Sequence, residues 1–249
     1  MTATPNNADR HAGIVVALLA EARCLGAVPA QRGHITALDD GSRACLCGMG
    51  SLRAADAARA LIEDGASALL SWGTCGALRK GLNAGAVLMP AAVTDDIGTV
   101  HPVDPHWRRR VEHALSPSMA VHDGLLLSSA RPLIRASQKA AAHAATAAVA
   151  VDMESVAVAT VAAAAGVPFL VLRVVLDLAD QALPEAALSA VDELGRPRVW
   201  PLLRTLALHP GQVPQLMGLS RSFSFARHSL RQLAACAPAR LAFEGQTPA

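Results

Sequence analysis

Continuous apolar runs, separated by polar or glycine-containing segments, make up most of the chain before Gln181. Such runs lack the strict alternation of a half-exposed strand and are typical of strands that are buried on both faces of a sheet. We predict buried strands at GIVVALL, ASALLSW, AVLMPAAV, DGLLLSS, VAVDM and VPFLVLRVVLD.

Helical patterns lie between several of these runs. SLRAADAARALIEDG ends at Gly65 and ESVAVATVAAAAG ends at Gly166, and glycine commonly follows the last turn of a helix. HITALDDGSRACLCGMG alternates on either side of Asp39-Asp40-Gly41, which predicts a hairpin. Strands that alternate with helices indicate a mostly parallel sheet covered on both faces, and such sheets bind ligands at the carboxyl ends of their strands.

The character of the chain changes after Gln181. LPEAALSAVDELG and WPLLRTLALHPG have helical patterns, and an apolar and basic tail follows them. One interpretation of the tail is a packed terminal helix. The other is an amphipathic segment that meets a membrane or a lipid-like substrate. The sequence leaves both open.

The composition narrows the class of protein. The chain has 249 residues, of which 52% are hydrophobic and 17% charged, so it is not intrinsically disordered. A net charge of +2 is too small to indicate nucleic-acid binding, and the basic run 108–110 is read as a solvated helix face. No secretory signal is predicted, because the N-terminal segment MTATPNNADRHAG is polar and lacks an apolar core. No membrane span is predicted either, because Gly166 and Pro168 interrupt the uncharged run 155–172.

The cysteines do not form a recognisable metal or disulfide framework. They are odd in number and irregularly spaced, at Cys24, Cys45, Cys47, Cys75 and Cys236. We therefore expect reduced core thiols in a cytoplasmic protein and no metal site.

Glycines also occur where a strand meets a helix, at Gly48 and Gly50. A dinucleotide-binding fingerprint would place a third glycine at position 53, which is Arg53. A nicotinamide-dependent oxidoreductase is therefore disfavoured, and no organic cofactor is expected. Two glycines at such a turn still let backbone N–H groups approach an anion or a hydroxyl.

Carboxylates end three of the apolar runs. Glu21 lies in a polar turn after the first run, Asp152 and Glu154 flank Met153 after VAV, and Asp177 ends VPFLVLRVVLD. Each acid alone would more commonly be a helix cap or a salt-bridge partner. Three acids at strand ends of one parallel sheet indicate a catalytic site.

The residue types suggest separate roles. A carboxylate such as Glu154 can accept two hydrogen bonds from a vicinal diol, as in ribose, while Met153 packs on the sugar face. Asp177 in an apolar pocket would have a raised pKa and could donate a proton, and Glu21 could activate water. Nearby, SWGTCGAL is expected to leave its strand at Gly73 and form a tight loop that carries Thr74.

Three segments in matching order resemble the nucleoside phosphorylase and nucleosidase superfamily, which includes methylthioadenosine/S-adenosylhomocysteine nucleosidase. They are GIVVALLAEAR, CGMGSLRAADAARALIEDGASALLSWGTCGAL and VAVDMESVAVATVAAAAGVPFLVLRVVLDLADQ. The resemblance implies a three-layer α/β phosphorylase-type fold with a mixed, mostly parallel central sheet and a C-terminal helical extension. It divides the chain into a catalytic domain, 13–205, and the extension, 206–249.

The resemblance also implies site residues. Asp177 would protonate purine N7 and Glu21 would activate water. The substrate would be bound by Glu154, Met153, Asp152, Thr74, Gly73 and Arg173, with Asp180 in support. No metal or cofactor is implied.

This sequence departs from the family pattern in several places. Leu176 stands where a serine usually precedes the catalytic aspartate, and Ser71 stands where phosphorylases carry a phosphate-binding arginine. With Glu21 present, hydrolysis is favoured over phosphorolysis, although Arg23, Arg43 or Arg53 could bind phosphate by another route. The remaining alternative is a module on the same fold that binds a nucleoside or lipid without catalysis.

The sequence motifs DMES and LDLAD, together with the basic and apolar tail, resemble the hopanoid-associated phosphorylases in particular. That subfamily implies cleavage of adenosylhopane into adenine and ribosylhopane. The partner would then be a small-molecule nucleoside with a lipid 5′ substituent, and the extension would contact the inner membrane peripherally. A homo-oligomer is also expected.

Overall fold

The computed structural model describes residues 11–115, 119–183, 192, 194, 196 and 213–236. Strands within these ranges belong to one sheet and are numbered in chain order: β1 His11–Val16, β2 Ile35–Ala37, β3 Arg43–Leu46, β4 Ala66–Ala77, β5 Val87–Leu88, β6 Ala92–Thr94, β7 Val100–Pro102, β8 Val121–His122, β9 Leu125–Ser128, β10 Ala150–Asp152 and β11 Phe169–Asp177.

Six helices lie in the same part of the chain: α1 Leu19–Leu25, α2 Ser51–Glu63, α3 Pro105–Ala114, α4 Ala136–Thr146, α5 Ser155–Ala165 and α6 Val213–Cys236. α2 and α5 pack against each other and against β4, whereas α6 packs against α1 and β11. The predicted α/β class, with a mixed central sheet and a C-terminal helix, is confirmed. The predicted domain boundary at 205/206 and the two helical patterns after Gln181 lie outside the described residues, apart from isolated positions.

β4 is the central strand of the sheet. It pairs in parallel with β1 and β11 and in antiparallel with β10. Six of the ten strand pairings among the described residues are parallel, which agrees with the predicted mostly parallel sheet. The predicted hairpin is present as antiparallel β2 and β3.

The expected loop at Gly73 is wrong. β4 continues to Ala77, because Gly73 is paired with Arg173 of β11, and Gly76 with both Asp177 and Val151. Pairing on both edges keeps the backbone of this segment extended. As a result, the ends of β10 and β11 meet the same stretch of β4.

Two helices, α1 and α4, were missed by the pattern of apolar residues, and α3 was expected only as a helix face that carries the basic run 108–110. The polar turn expected after β1 is α1, and Glu21 lies in its first turn. α4 is rich in alanine and has no large apolar side chains, so no apolar stripe marks it as a helix. In α3 the basic run 108–110 is at least partly exposed as expected, while Trp107 is fully buried.

α6 is anchored on one side and open on the other. Ala226, Leu230 and Leu233 are buried, whereas Met217 and Phe225 are more than half exposed. Packing therefore accounts for one face of the tail and leaves the opposite face available. None of the helices among the described residues combines the length and the apolar character that crossing a membrane requires.

α3 begins with a side-chain cap. Asp104 Oδ1 accepts a hydrogen bond of 2.6 Å from the Trp107 backbone N–H, and Pro105 occupies the first helical position. We expect Asp104→Ala to lower the free energy of unfolding by about 1 kcal/mol, because it removes this cap. Asp56→Ala, which removes an exposed carboxylate on α2, should change it by less than about 0.5 kcal/mol. Urea denaturation measures both, and equal losses would contradict the assignment of Asp104 as a cap.

Candidate active site

One cavity of about 200 Å³ lies where β4, β10 and β11 meet α1. The acids predicted from the sequence, Glu21, Glu154 and Asp177, all line it, and all three are buried. The predicted residues Thr74, Asp152, Met153 and Arg173 line it as well. The structure therefore brings these side chains together, and their individual roles stay predictions.

A buried ion pair forms the floor of this site. Arg173 on β11 donates from Nε to Asp152 Oδ2 at 2.8 Å, and its Nη2 lies 2.6 Å from the same oxygen. Nη2 also donates to the hydroxyls of Ser71, at 2.7 Å, and Ser155, at 2.9 Å. Ser155 in turn donates to Asp152. The hydrogen-bonding groups of Arg173 and Asp152 are thus engaged with each other and with the two serines.

Arg173 also interacts electrostatically with the carboxylates of Glu154 and Glu21. Burial alone would lower the pKa of Arg173, but Asp152, Glu154 and Glu21 outweigh burial and raise it. Arg173 is therefore a permanent cation under the floor of the cavity.

Glu21 is held by backbone and side-chain donors. Its Oε1 accepts from the Thr74 N–H at 2.8 Å and from the Thr74 hydroxyl at 2.7 Å, and its Oε2 accepts from Leu18 N–H at 3.2 Å. Burial raises the pKa of Glu21, and the Thr74 hydroxyl and Arg173 oppose that rise. A carboxylate held in this way can accept a proton.

Gly73 makes room for this arrangement. A Cβ at this position would lie 2.6 Å from Arg173 Nη1 and 2.7 Å from Glu21 Oε2, and its φ of +154° disfavours other residues. Gly73 was predicted to bind substrate. Glu21 and Arg173 pack against its backbone, and Gly73 is not among the residues that line the cavity, so its role toward a substrate stays a prediction.

Glu154 is the N-cap residue of α5, at the point where β10 ends. Its Oε1 accepts from Gly50 N–H at 2.9 Å, and its Oε2 accepts from Met153 N–H at 3.2 Å. The expectation that the glycine turn before α2 would approach an anion is met here, by a carboxylate of the chain itself. Burial, with repulsion from Asp152, raises the pKa of Glu154 to about 7.

Asp177 lies at the end of β11 and contacts a residue that the sequence analysis missed. Lys139 on α4 is completely buried and donates from Nζ to Asp177 Oδ2. Burial raises the pKa of Asp177, while Lys139 opposes the rise. A Cβ on Gly76 would lie 3.0 Å from Asp177 Oδ2, so glycine leaves space for the carboxyl group.

Some expected contributors lie elsewhere. Asp180 is exposed and does not line the cavity. Arg23, Arg43 and Arg53 are not among the lining residues either, and Arg43 pairs with Asp64. Arg131, which the sequence analysis did not single out, lies exposed at the edge of the cavity.

A second cavity, of about 380 Å³, adjoins the first. Met153 lines both of them, and the second is otherwise bounded by α5 residues, the chain around Ile97 and residues 128–130. No group of three His, Cys, Asp or Glu side chains within the described part of the chain is placed to hold a metal ion.

Solved structures with this architecture are known. Futalosine hydrolase of Helicobacter pylori has a TM-score of 0.68 at 15% identity, covering 94% of this chain and 98% of that protein. The 5′-methylthioadenosine/S-adenosylhomocysteine nucleosidase of H. pylori has a TM-score of 0.66 at 16% identity, with 93% and 97% covered. The corresponding nucleosidase of Neisseria meningitidis, solved with methylthio-immucillin-A, has a TM-score of 0.64 at 20% identity, with 93% and 96% covered.

At these identities the structural likeness establishes the fold. No curated protein sequence matches the chain. The sequence profile of the phosphorylase superfamily, however, matches residues 27–197, which is more than half of the chain. The predicted family is therefore confirmed: the chain belongs to the phosphorylase superfamily.

Proposed function

We propose that this protein hydrolyses the N-glycosidic bond of an adenine nucleoside. The observation that supports this proposal best is the cavity lined by Glu21, Glu154 and Asp177, three buried acids from separate parts of the chain. Breaking a glycosidic bond builds positive charge on the sugar and negative charge on the departing base. Acids that bind the sugar, activate water and protonate the base answer these demands.

Glu154 binds the ribose hydroxyls in this proposal. Each of its oxygens already accepts one backbone N–H, which fixes the carboxylate and leaves it further acceptor capacity for a diol. Met153, half-buried and adjacent, packs on the sugar.

Glu21 takes the proton of the attacking water. Its three hydrogen bonds from Thr74 and Leu18 leave Oε2 able to accept one more. In this proposal Thr74 orients the carboxylate of Glu21, which is the general base, in addition to any contact that it makes with the substrate.

Asp177 protonates N7 of the leaving purine. The half-buried side chains of Leu133, Leu176 and Leu183 line the same cavity and give a planar base an apolar surrounding. An acid in such surroundings keeps its proton more readily than one in water.

Asp152 and Arg173 act on the substrate indirectly. Their hydrogen bonds are to each other and to Ser71 and Ser155, so we infer that they tie the end of β10 to β11 beneath the sugar. In the same way, Gly73 supplies space for Glu21.

Phosphorolysis is the second candidate reaction. Arg131 lies at the edge of the cavity and is exposed, so phosphate could enter beside it. Hydrolysis is preferred because the other cations on the cavity wall or against it, Arg173 and Lys139, already donate to groups of the chain.

The solved relatives agree with hydrolysis of a nucleoside. Two of them are named as nucleosidases, and one of these was solved with methylthio-immucillin-A, while a third is named as futalosine hydrolase. We carry the reaction class, and not their individual substrates, to this chain.

We further propose adenosylhopane as the substrate, following the resemblance of the sequence to the hopanoid-associated enzymes. The second cavity supports a large 5′ substituent. It shares Met153 with the first cavity and has apolar walls at Ile97, Val156 and Ala157, so a substrate could extend across Met153.

A homo-oligomer is part of the same proposal. Leu52 is 82% exposed, Ile97 87% and Val100 55%, and Ile97 lines the second cavity together with the neighbour of Leu52, Ser51. A second copy of the chain that covered these side chains would enclose the cavity.

Product identity tests the reaction. Adenosylhopane, methylthioadenosine and inosine are incubated with the protein, with and without phosphate, and the released base and sugar are separated by chromatography. We expect adenine and a free ribosyl product at a rate that phosphate does not change, and the highest kcat/KM for adenosylhopane. Asp177→Asn should lower kcat by about 10²–10⁴-fold, and Asp180→Asn, an exposed control, should leave it within about twofold.

Other outcomes identify the alternatives. A ribose 1-phosphate product that requires phosphate would identify a phosphorylase. Binding of nucleoside without turnover, unchanged by Asp177→Asn, would identify a non-catalytic module.

The pKa of Glu154 predicts an acid limb in the pH profile. Because this pKa is raised to about 7, the carboxylate becomes protonated as pH falls through 7 and accepts fewer hydrogen bonds from the ribose. We expect kcat/KM to fall by up to about tenfold per pH unit below pH 7. Glu154→Gln should lower kcat/KM and remove the inflection near pH 7. An inflection that persists in this variant would assign it to another group.

The open face of α6 supports contact with an anionic membrane. The helix carries Arg221, Arg227 and Arg231 and has no Asp or Glu, and its exposed side chains include Met217 and Phe225. We expect co-sedimentation with phosphatidylglycerol vesicles, weakened by about 30-fold in Arg221→Gln/Arg231→Gln, since each arginine contributes about 1 kcal/mol near such a surface. Arg59→Gln/Arg109→Gln, an equal charge loss at other exposed sites, should bind like the wild type. A chain that stays in the supernatant would contradict membrane contact.

A further inference from the structure

Lys139 is a buried cation beside the active cavity that the family resemblance did not assign. It lies on α4, and its side chain is 0% exposed. Lys139 is 38 residues before Asp177 in the sequence, yet the two side chains form an ion pair. A buried charge is costly unless it is paired and hydrogen-bonded, so this placement calls for a physical reason.

Every donor of the ammonium group has an acceptor. Nζ donates to Asp177 Oδ2, to the Leu178 carbonyl oxygen at 2.7 Å and to the Gln181 carbonyl oxygen at 2.9 Å. An ammonium group has three N–H donors and no acceptor, so these three contacts fit the protonated form. The two carbonyls hold the chain that follows β11 against Lys139.

Asp177 has only one oxygen committed to this pair. Oδ2 accepts from Lys139, and the carboxyl group lies against the backbone of Gly76 on the cavity wall. The carboxyl group also accepts from the Asp177 backbone N–H, and among the described residues no other side chain donates to Oδ1. The pair therefore presents one fixed oxygen to Lys139 and leaves the other for a ligand.

We propose that Lys139 is a positioning residue that fixes the side chain of Asp177. Lys139 also supplies the proton that the leaving base takes up, and this proton passes through the carboxyl group of Asp177. This inference rests on the proposed hydrolysis. Lys139 Nζ transfers a proton to the Asp177 carboxylate, and the carboxyl group formed in this way gives that proton to N7.

The atoms and charges balance in this step. The C1′–N9 bond breaks with its electron pair on the base, N7 gains a proton and adenine leaves neutral. Water adds oxygen to C1′ and gives its proton to Glu21. The site changes from an ammonium with two carboxylates to an amine, a carboxylate and a carboxylic acid, and solvent exchange restores it after release.

The proposal predicts a difference between leaving groups. The matched substrates are an adenine nucleoside, whose base needs a proton to leave, and 4-nitrophenyl riboside, whose leaving group departs as an anion. Lys139→Met should lower kcat for the nucleoside by about 10²-fold and kcat for the nitrophenyl riboside by less than about threefold. Lys139→Arg, which keeps the charge, should recover part of the loss, and Lys80→Met, an exposed control, should be unaffected.

The pH profile provides a second readout. In the wild type, kcat for the nucleoside should hold constant from pH 7 to 9, because Lys139 supplies a proton in addition to that of Asp177. In Lys139→Met the only proton is that of Asp177, so kcat should fall as pH rises, with its alkaline limb at lower pH. The other titratable or charged groups that line the cavity are unchanged in both proteins: Glu21, Cys75, Arg131, Asp152, Glu154 and Arg173.

The outcomes of these experiments either support or overturn the proposed role of Lys139. Equal losses for the two substrates in Lys139→Met, or no loss, would overturn the proposal. If that variant does not fold, a wild-type alkaline limb below pH 7 overturns it and a flat wild-type profile supports it. A wild type that cleaves neither substrate would instead contradict the proposed hydrolysis itself, so the two failures are distinguishable.

Discussion

The buried ion pair between Arg173 and Asp152 is the interaction on which the site depends. Glu21, Asp152 and Glu154 are buried around one cavity, where their carboxylates repel each other and lose hydration, and both effects favour the neutral forms. Arg173 offsets this by attracting Asp152, Glu154 and Glu21 at once. Removing one member of a buried pair commonly costs about 3–5 kcal/mol, because the partner charge stays buried. The network thus stabilises the fold, and Arg173 opposes the rise that burial causes in the pKa values of Glu21 and Glu154.

The same site separates its acids by their partners. Glu21 and Glu154 share the field of Arg173, whereas the cation that acts on Asp177 is Lys139. A base and a proton donor can therefore coexist in one cavity, because each acid is held near a different cation. This division matches the opposite charges that develop on the sugar and on the base when a glycosidic bond breaks.

Much of this arrangement is visible in the sequence, for a physical reason. Continuous apolar runs identify strands buried on both faces, and acids at the ends of such strands indicated one site for Glu154 and Asp177. The two acids do meet, but β10 runs antiparallel to β4 and β11 runs parallel to it, so the strand ends approach each other from opposite directions. Contacts between distant segments of the chain could not be predicted from the sequence. Nothing local marks Lys139, which lies in an alanine-rich helix without a large apolar stripe. Nor does the local sequence show that the donors of Arg173 are engaged by Asp152, Ser71 and Ser155. Gly73 was taken for a loop residue, because a glycine that makes room for a side chain in a strand has the same sequence signal as one that turns the chain.

The proposed reaction requires that three acids surround a single bound nucleoside. A crystal structure with a non-cleavable adenine nucleoside analogue tests this arrangement most directly. We expect ribose hydroxyls within about 3 Å of Glu154, N7 of the base at the same distance from Asp177, and a water on Glu21 facing C1′. An analogue bound outside this cavity, or one whose sugar and base contact none of the three acids, would contradict it.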